Sequence, residues 1–402
     1  MSTTARHITL PKGFVASAVA CGIKQSGKPD LAIIAGEKDV SAAIVTTSNQ
    51  IVGEPIKYCR NVLPKAAGKI RGIVINAGNS NVCTGKRGYR DAERMAELTA
   101  RQLNTDPQKV LVASTGIIGH SMPMTNAKAG IEQAAAGLGT ENDAVVAQAI
   151  LTTDLVEKTA VKTLKLGGKE MTIAGIAKGS GMIAPSLATM ISVITTDAAV
   201  SPAALKRALS DAAGATYNAV TVDSDTSTSD IVAVLASGKA GNKSLTTRSD
   251  DFKTFSAALR EVCDQLARMI VADGEGATRI VEINITGARS DAEAKLAAKS
   301  VADSPLLKCA VHGGDPNWGR IAMALGKSNA KVVADNLRIK IGGTTIFSKG
   351  TGRKFDVDKV QQHMSGETVT IDCDLGLGKG SFTALTCDLS REYITINADY
   401  HT

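Results

Sequence analysis

Residues 178–189 read KGSGMIAPSLAT, and residues 190–200 continue as MISVITTDAAV. The first half carries almost no bulky side chains. Gly179, Gly181 and Pro185 suit a tight, exposed turn. Met190, Ile191, Val193, Ile194 and Thr195 then form a short apolar run, which reads as a buried strand rather than an amphipathic helix. Thr189 stands at the junction, with small Ala188 before it. A β-branched residue is an ordinary way to begin a strand. A threonine hydroxyl exposed at such a turn is also a nucleophile once a base stands beside it. The pattern leaves both readings open.

Around this stretch, the whole chain has the composition of an ordinary folded protein. It has 402 residues, 44% hydrophobic and 21% charged, enough for two or three structural units. Aromatics make up only 3% against 38 glycines, so the core is expected to be built from Ala, Val, Ile and Leu. The net charge of +7 is scattered. Stretches such as KRGYR at 86–90 and RKFDVDKV at 353–360 form no long basic arm, so small anionic metabolites suit the excess better than nucleic acid. Cys21, Cys59, Cys83, Cys263, Cys309, Cys373 and Cys387 contain no CxxC pair, and the opening MSTTARHITLPKG has no apolar core. Reduced cysteines, a cytoplasmic setting and no membrane span are the expectation. His120, His312 and His363 fall in no ligand spacing. Asp223, Asp225 and Asp230 crowd the segment 221–230 but lack the glycine and terminal glutamate of a calcium loop. Neither a metal nor a bound cofactor is expected.

Taken in order, 31–36 and 41–47 read as two short strands around a charged turn, and Ile70 to Asn76 as a strand entering the glycine-rich AGNSNVCTG. Residues 87–104 place Ala92, Met95, Ala96 and Leu103 on one helical face, interrupted by Thr99, with Asp91 as N-cap. Val110 to Ala113 forms a strand ending in Ser114, Thr115 and Gly116. Such an end can turn a hydroxyl and a backbone N–H towards a reacting carbonyl, or simply begin a loop. Helices follow at 131–138 and 144–151, then a hairpin over 161–176 about Gly167–Gly168. Ser201 caps a helix with Pro202 in its first turn. A long helix runs from about Asp251 to Val271. From Ile280 a strand, a helix, another strand and later strands suggest a smaller α/β unit. The closing YITINADYHT reads as a strand end.

KGSGMIAPSLATM resembles the self-cleavage segment of the ornithine acetyltransferase (glutamate N-acetyltransferase) family. TTSN at 46–49, NAGNSNVCTG at 76–85, STGIIG at 114–119, LTTD at 151–154, DGEGATR at 273–279, GGDPNWGR at 313–320 and NADYHT at 397–402 are similar to further family segments, in family order. The resemblance implies a layered α/β sandwich of sheets and helices of the DmpA/ArgJ-like type, with a smaller C-terminal α/β unit from about 281 to 390. It implies a cut between Ala188 and Thr189, giving an α fragment of 1–188 and a β fragment of 189–402, paired and then dimerised.

By the same resemblance, Thr189 is the nucleophile and Thr115 and Gly116 hold the oxyanion. Thr152 (favoured over Thr153), Lys178, Thr189, Glu275, Asn397 and Thr402 bind substrate. The implied reaction moves acetyl from N2-acetylornithine to glutamate in arginine biosynthesis. Acetyl-CoA is a second acetyl donor for some members, and the bifunctional form is favoured here. Chemically, Lys178 suits the α-carboxylate common to both amino acids, and Glu275 suits the side-chain ammonium of ornithine. An N-terminal-threonine amidase or aminopeptidase is the enzymatic alternative, and a noncatalytic small-molecule-binding protein is the other.

Overall fold

The computed structural model describes residues 7–184 and 190–399. The chain opens with β1 (Phe14–Val19), paired antiparallel with β2 (Leu31–Thr46). The two short strands expected at 31–36 and 41–47 are thus one strand of 16 residues. Its charged middle does not break it, because β2 changes partners there. Residues 31–35 pair with β3 (Ile70–Asn79), and the register slips between Ala35 and Val40. Residues 41–46 pair instead with a later strand.

Around β3 lie α1 (Glu54–Ala66) and α2 (Gly85–Gln102), followed by β4 (Val110–Ile117), α3 (Met124–Ala136) and α4 (Asp143–Ala149). Asp91, expected as an N-cap, lies inside α2, which begins six residues earlier at Gly85 behind Thr84. Thr99 interrupts the apolar face without penalty because its buried hydroxyl donates to the Met95 carbonyl at 2.9 Å.

The hairpin expected over 161–176 is longer. It comprises β5 (Lys158–Leu166) and β6 (Lys169–Lys178), joined at Gly167 and Gly168, whose φ values of 54° and 74° suit a two-glycine turn. Then come β7 (Ile191–Thr196), α5 (Pro202–Ala215), β8 (Ile231–Ala236) and α6 (Phe252–Ala272). Ser201 caps α5 as expected, accepting the Ala204 N–H. The first sheet runs β4-β3-β2-β8-β7-β6-β5, with β1 on the free side of β2.

Alternation along the strands divides the interior. Ile176, Ile191, Val193, Ile231, Ala233 and Leu235 share a core with β1–β4 and the first four helices. Their neighbours Ile173, Ala177, Ile194, Val232 and Val234 face a second core with α5 and α6. On α6, Leu259, Val262, Leu266 and Ile270 are fully buried, each side chain contributing about 1.5–3 kcal/mol. The result is a layered α/β sandwich.

The remaining chain forms a second sheet. It contains β9 (Ile280–Ala288), α7 (Asp291–Ala302), α8 (Pro305–His312), α9 (Trp318–Gly326), β10 (Arg338–Ile341), β11 (Thr344–Ser348), β12 (Thr351–Gly352), α10 (Val357–Met364), β13 (Thr368–Asp374) and β14 (Gly380–Cys387). The strands run β12-β11-β10-β13-β9-β14. The strand expected after α7 is a helix instead, because Ser304 caps it and Pro305 opens it. Trp318 packs on Phe347, with ring centroids 5.0 Å apart. The strand end expected in YITINADYHT is also a helix, α11 (Arg391–Asp399). Its start is held by Ser390, whose hydroxyl accepts the Glu392 N–H and donates to the Gly276 carbonyl. Among the described residues, no helix is long and apolar enough to cross a membrane.

Candidate active site

The site forms where β6 ends. Lys178, the last residue of that strand, pairs in register with Ile191 at the start of β7. It is not a solvated surface lysine, being only 2% exposed. Burial pushes its ammonium below the ordinary lysine value, and Asp154 opposes that shift. Among the described residues its nearest carboxylate oxygen, Asp154 Oδ2, lies 3.9 Å away, too far for a hydrogen bond.

Asp154 is itself fully buried and belongs chiefly to Lys158, whose Nζ lies 2.7 Å from Oδ1. The same oxygen accepts the Gly179 N–H at 2.6 Å, and Oδ2 accepts the Thr152 N–H at 3.0 Å. Burial would raise this carboxyl, yet Lys178 and Lys158 together hold it at about 2. Lys158 also reaches Asp273 Oδ2 at 2.6 Å and the Val156 carbonyl at 3.2 Å. Ser180 closes the circuit: its hydroxyl donates to the Asp273 carbonyl, and its own carbonyl accepts the Glu275 N–H. Segments 152–158, 178–180 and 273–275 are therefore stitched into one unit.

Glu275 is 8% exposed and projects over Gly181, so closely that a Cβ there would meet its carboxylate at 2.4 Å. Asn397 reaches it from α11, donating Nδ2 to Oε2 at 2.8 Å and to the Tyr393 carbonyl at 2.9 Å. The helical conformation of 391–399 makes this double contact, because positions four apart share a face. Asp223 stands nearby with Tyr393. Burial pushes its carboxyl up to about 6, against the pull of the backbone N–H groups it accepts.

Thr115 and Gly116 lie at the end of β4, the edge strand of the first sheet. Thr115 is buried, and Gly116 takes φ 125° against the Gly78–Asn79 peptide, where a Cβ would come within 2.4 Å of backbone. Only glycine fits that approach. The other side of the Gly78–Asn79 turn walls a cavity of about 420 Å³, which Ile117 and Thr152 also line. Thr152 thus faces the cavity and is tied to Lys178 through Asp154. Thr153 is not among the lining residues.

Ala188, Thr189 and Thr402 lie outside the described residues. The described chain on either side of the junction is held by two carboxylates. Asp223 accepts the N–H groups of Met182 at 2.5 Å and Ile183 at 2.8 Å. Asp230, fully buried and pushed well above the usual carboxylate range by that burial, accepts the Met190 N–H at 2.9 Å. These two carboxylates, whose spacing lacks the features of a calcium loop, anchor backbone here. Among the described residues, no cluster of His, Cys, Asp and Glu could hold a metal. Sequence reasoning also missed Asp154, Lys158 and Asp273. Asp154 and Asp273 do fall inside the LTTD and DGEGATR segments, but nothing in their spacing ties them to Lys158.

The arrangement offers a buried cation, a buried anion fixed by an amide, and a strand end built around an obligatory glycine. It suits a zwitterionic ligand with a second charged end.

Comparison with known proteins places these features in context. A family model described as the ArgJ family matches residues 15–402. The chain is 43% identical over 405 residues to the arginine biosynthesis bifunctional protein ArgJ of Synechocystis, covering 98% of both chains. It is 44% identical over 396 residues to the protein of that name from Deinococcus radiodurans, again with 98% of each covered. A crystal structure of an arginine biosynthesis bifunctional protein from Bacillus halodurans superposes with a TM-score of 0.50 at 40% identity. It covers 51% of this chain and 97% of its own.

Proposed function

Because the chain belongs to the ArgJ family, we propose that it is a glutamate N-acetyltransferase of arginine biosynthesis that works through an acetyl ester on Thr189. It is an ArgJ-type acyltransferase. The observation that carries the finer reading is the pairing of a buried, loosely held Lys178 with an amide-fixed Glu275 beside the segment that resembles a self-cleavage site.

Maturation comes first. The Thr189 hydroxyl attacks the Ala188 carbonyl, the peptide nitrogen takes the hydroxyl proton, and an ester replaces the amide. Water then hydrolyses that ester, leaving Ala188 with a carboxylate and Thr189 with a free amine. An α-amine with a pKa of about 7.7–8.0 is a competent base near neutral pH. The fragments 1–188 and 189–402 stay interlocked, since Lys178 belongs to one and Glu275 to the other, and the expected assembly is a dimer of such pairs. The length of the matched Bacillus halodurans chain, about half of this one, supports a split precursor.

In turnover, the Thr189 hydroxyl attacks the acetyl carbonyl of N2-acetylornithine, with its proton passing to the amine. The Thr115 hydroxyl and the Gly116 N–H stabilise the tetrahedral oxyanion. The α-nitrogen of ornithine takes the proton as its bond to the acetyl carbon breaks. Glutamate then attacks the acetyl ester by the same steps in reverse. Lys178 holds the α-carboxylate of each amino acid, Glu275 with Asn397 receives the ornithine ammonium, and Thr152 and Thr402 complete the substrate contacts. Acetyl-CoA serves as a second donor, because the acetyl ester keeps no record of what loaded it.

The test is Thr189→Ala. Intact mass should show one uncut 402-residue chain, and acetyl transfer from acetylornithine should vanish. Efficient cutting after residue 188 in this variant would overturn the mechanism. Transfer to water at the same rate with and without glutamate in the parent enzyme would point to an amidase instead.

A further inference from the structure

One site has to accept two amino acids whose side chains end in opposite charges. Glu275 suits the ammonium of ornithine and repels the carboxylate of glutamate. Asp223 beside Tyr393 adds a second carboxyl near Glu275, while Asp273 on the same short segment is taken up by Lys158. A second place for the glutamate side chain is needed, and the cavity of about 420 Å³ beside the Gly116 strand end has the opposite character. Its lining includes Lys24, Gln25, Ser26, Asn79, His120 and Thr152, and no carboxylate among the described residues.

Lys24 is the notable member. Its half-buried ammonium donates to two carbonyls, Pro29 O at 2.7 Å and Ala149 O at 3.1 Å, and makes no ion pair among the described residues. Three donors and two partners leave one N–H uncommitted. The carboxylate nearest in sequence, Asp30, is already occupied. It accepts the N–H groups of Cys21, Ile23 and Lys24 at 2.6–2.9 Å. Lys24 also packs beside Gly78, whose peptide touches Gly116. Lys24 and Thr152 line the same cavity, together with Gly78 and Ile117 beside the Gly116 strand end.

We propose that this cavity is the acceptor side-chain subsite, in which Lys24 receives the γ-carboxylate of glutamate. The proposal rests on the glutamate reading above and adds a specificity-determining residue to it. The two amino acids then share Lys178 at the α-carboxylate and diverge beyond it, ornithine towards Glu275 and glutamate towards Lys24. The groups that face Lys24 are Asp30 and Lys28 on its own loop, Asp154 beyond Thr152, Lys178 on β6 and His120 across the cavity. Burial lowers the Lys24 ammonium to about 8, against the pull of Asp30 and Asp154.

The experiment compares glutamate with its uncharged isostere glutamine as acceptors from acetylornithine, as a ratio of kcat/KM. Within one preparation this ratio does not depend on the fraction folded or matured. The wild type should favour glutamate, and Lys24→Met should lower the preference by about 10- to 100-fold, the usual worth of a charge-assisted hydrogen bond. Acetyl-enzyme formation from acetylornithine, measured separately, should fall less than the turnover with glutamate. An unchanged ratio in the variant, or a wild type that does not prefer glutamate over glutamine, overturns the assignment. So does an equal loss with both acceptors, or a loss confined to loading by acetyl-CoA. Failure of the wild type to form any acetyl-enzyme from acetylornithine would instead strike the proposed function itself.

Discussion

Two lysines stand at neighbouring positions of the hairpin formed by β5 and β6, and they are treated in opposite ways. Lys158 is paired in register with Ala177, next to Lys178. It is wholly buried and saturated, with two carboxylates within 2.7 Å and a carbonyl at 3.2 Å. Lys178 is equally hidden, yet among the described residues its nearest carboxylate oxygen lies 3.9 Å away. Removing charges from water costs several kcal/mol per ion, and only close partners offset it. Lys158 has those partners within the protein. Lys178 has no close one among the described residues, so an incoming carboxylate gains what the fold leaves unspent. The contrast separates a structural ion from a binding ion more sharply than burial does.

The largest expected effect comes from breaking the saturated member. Lys158→Met leaves Asp154 and Asp273 buried without their cation and should cost about 3–5 kcal/mol of stability. The measurement is chemical denaturation, made in the Thr189→Ala background so that both proteins are single uncut chains. A loss below about 1 kcal/mol, the range of surface pairs, would show that the pair does not hold the segments together.

Lys178→Met should behave the other way. Stability in the same background should change by about 1 kcal/mol or less, because the cost of a desolvated charge disappears along with its attraction to Asp154, which keeps Lys158 as its contact partner. Catalysis should lose about 1.5–3 kcal/mol for both acetylornithine and glutamate, seen mainly as higher KM values. A selective loss for one of the two amino acids would move Lys178 away from the shared α-carboxylate.

The smallest effect is the acid limb of stability. Asp154 has its folded pKa lowered to about 2, against an unfolded value near 3.9. A depressed carboxyl contributes stability above its unfolded value and loses it as pH falls through the folded one. The stabilisation, about 2 kcal/mol, should therefore be intact at pH 5 and fade between about pH 4 and pH 2. Asp154→Asn should remove that slope, and a variant curve parallel to the parent would show that other carboxylates dominate acid unfolding.

Much of this was readable from residues alone. Gly167–Gly168 announced its hairpin, Ser201–Pro202 its helix, and the spacing along α6 its buried face, because each depends on a few adjacent residues. The motif segments also carried the family resemblance and named Lys178, Glu275 and Asn397 together. The errors have a common cause. Residues 31–47 look broken by Glu37–Lys38–Asp39, but β2 continues because new ladder partners take over beyond the break. YITINADYHT reads as a strand end, yet its described part belongs to a helix, Arg391–Asp399, secured by contacts from Ser390 to Gly276 and from Asn397 to Glu275.

Local chemistry, then, was settled by the sequence: which segments turn, which run apolar, and which residue types could carry acyl transfer. What only the tertiary structure decided was which charges are satisfied. Lys158 and Asp273 are 115 residues apart, and Asn397 and Glu275 are 122 apart. No periodicity within a segment encodes such pairs, because they depend on how sheets and loops are brought together. Whether a buried lysine is a strut or a waiting ligand site depends on about one ångström of separation from a carboxylate, a quantity that exists only once the chain has folded.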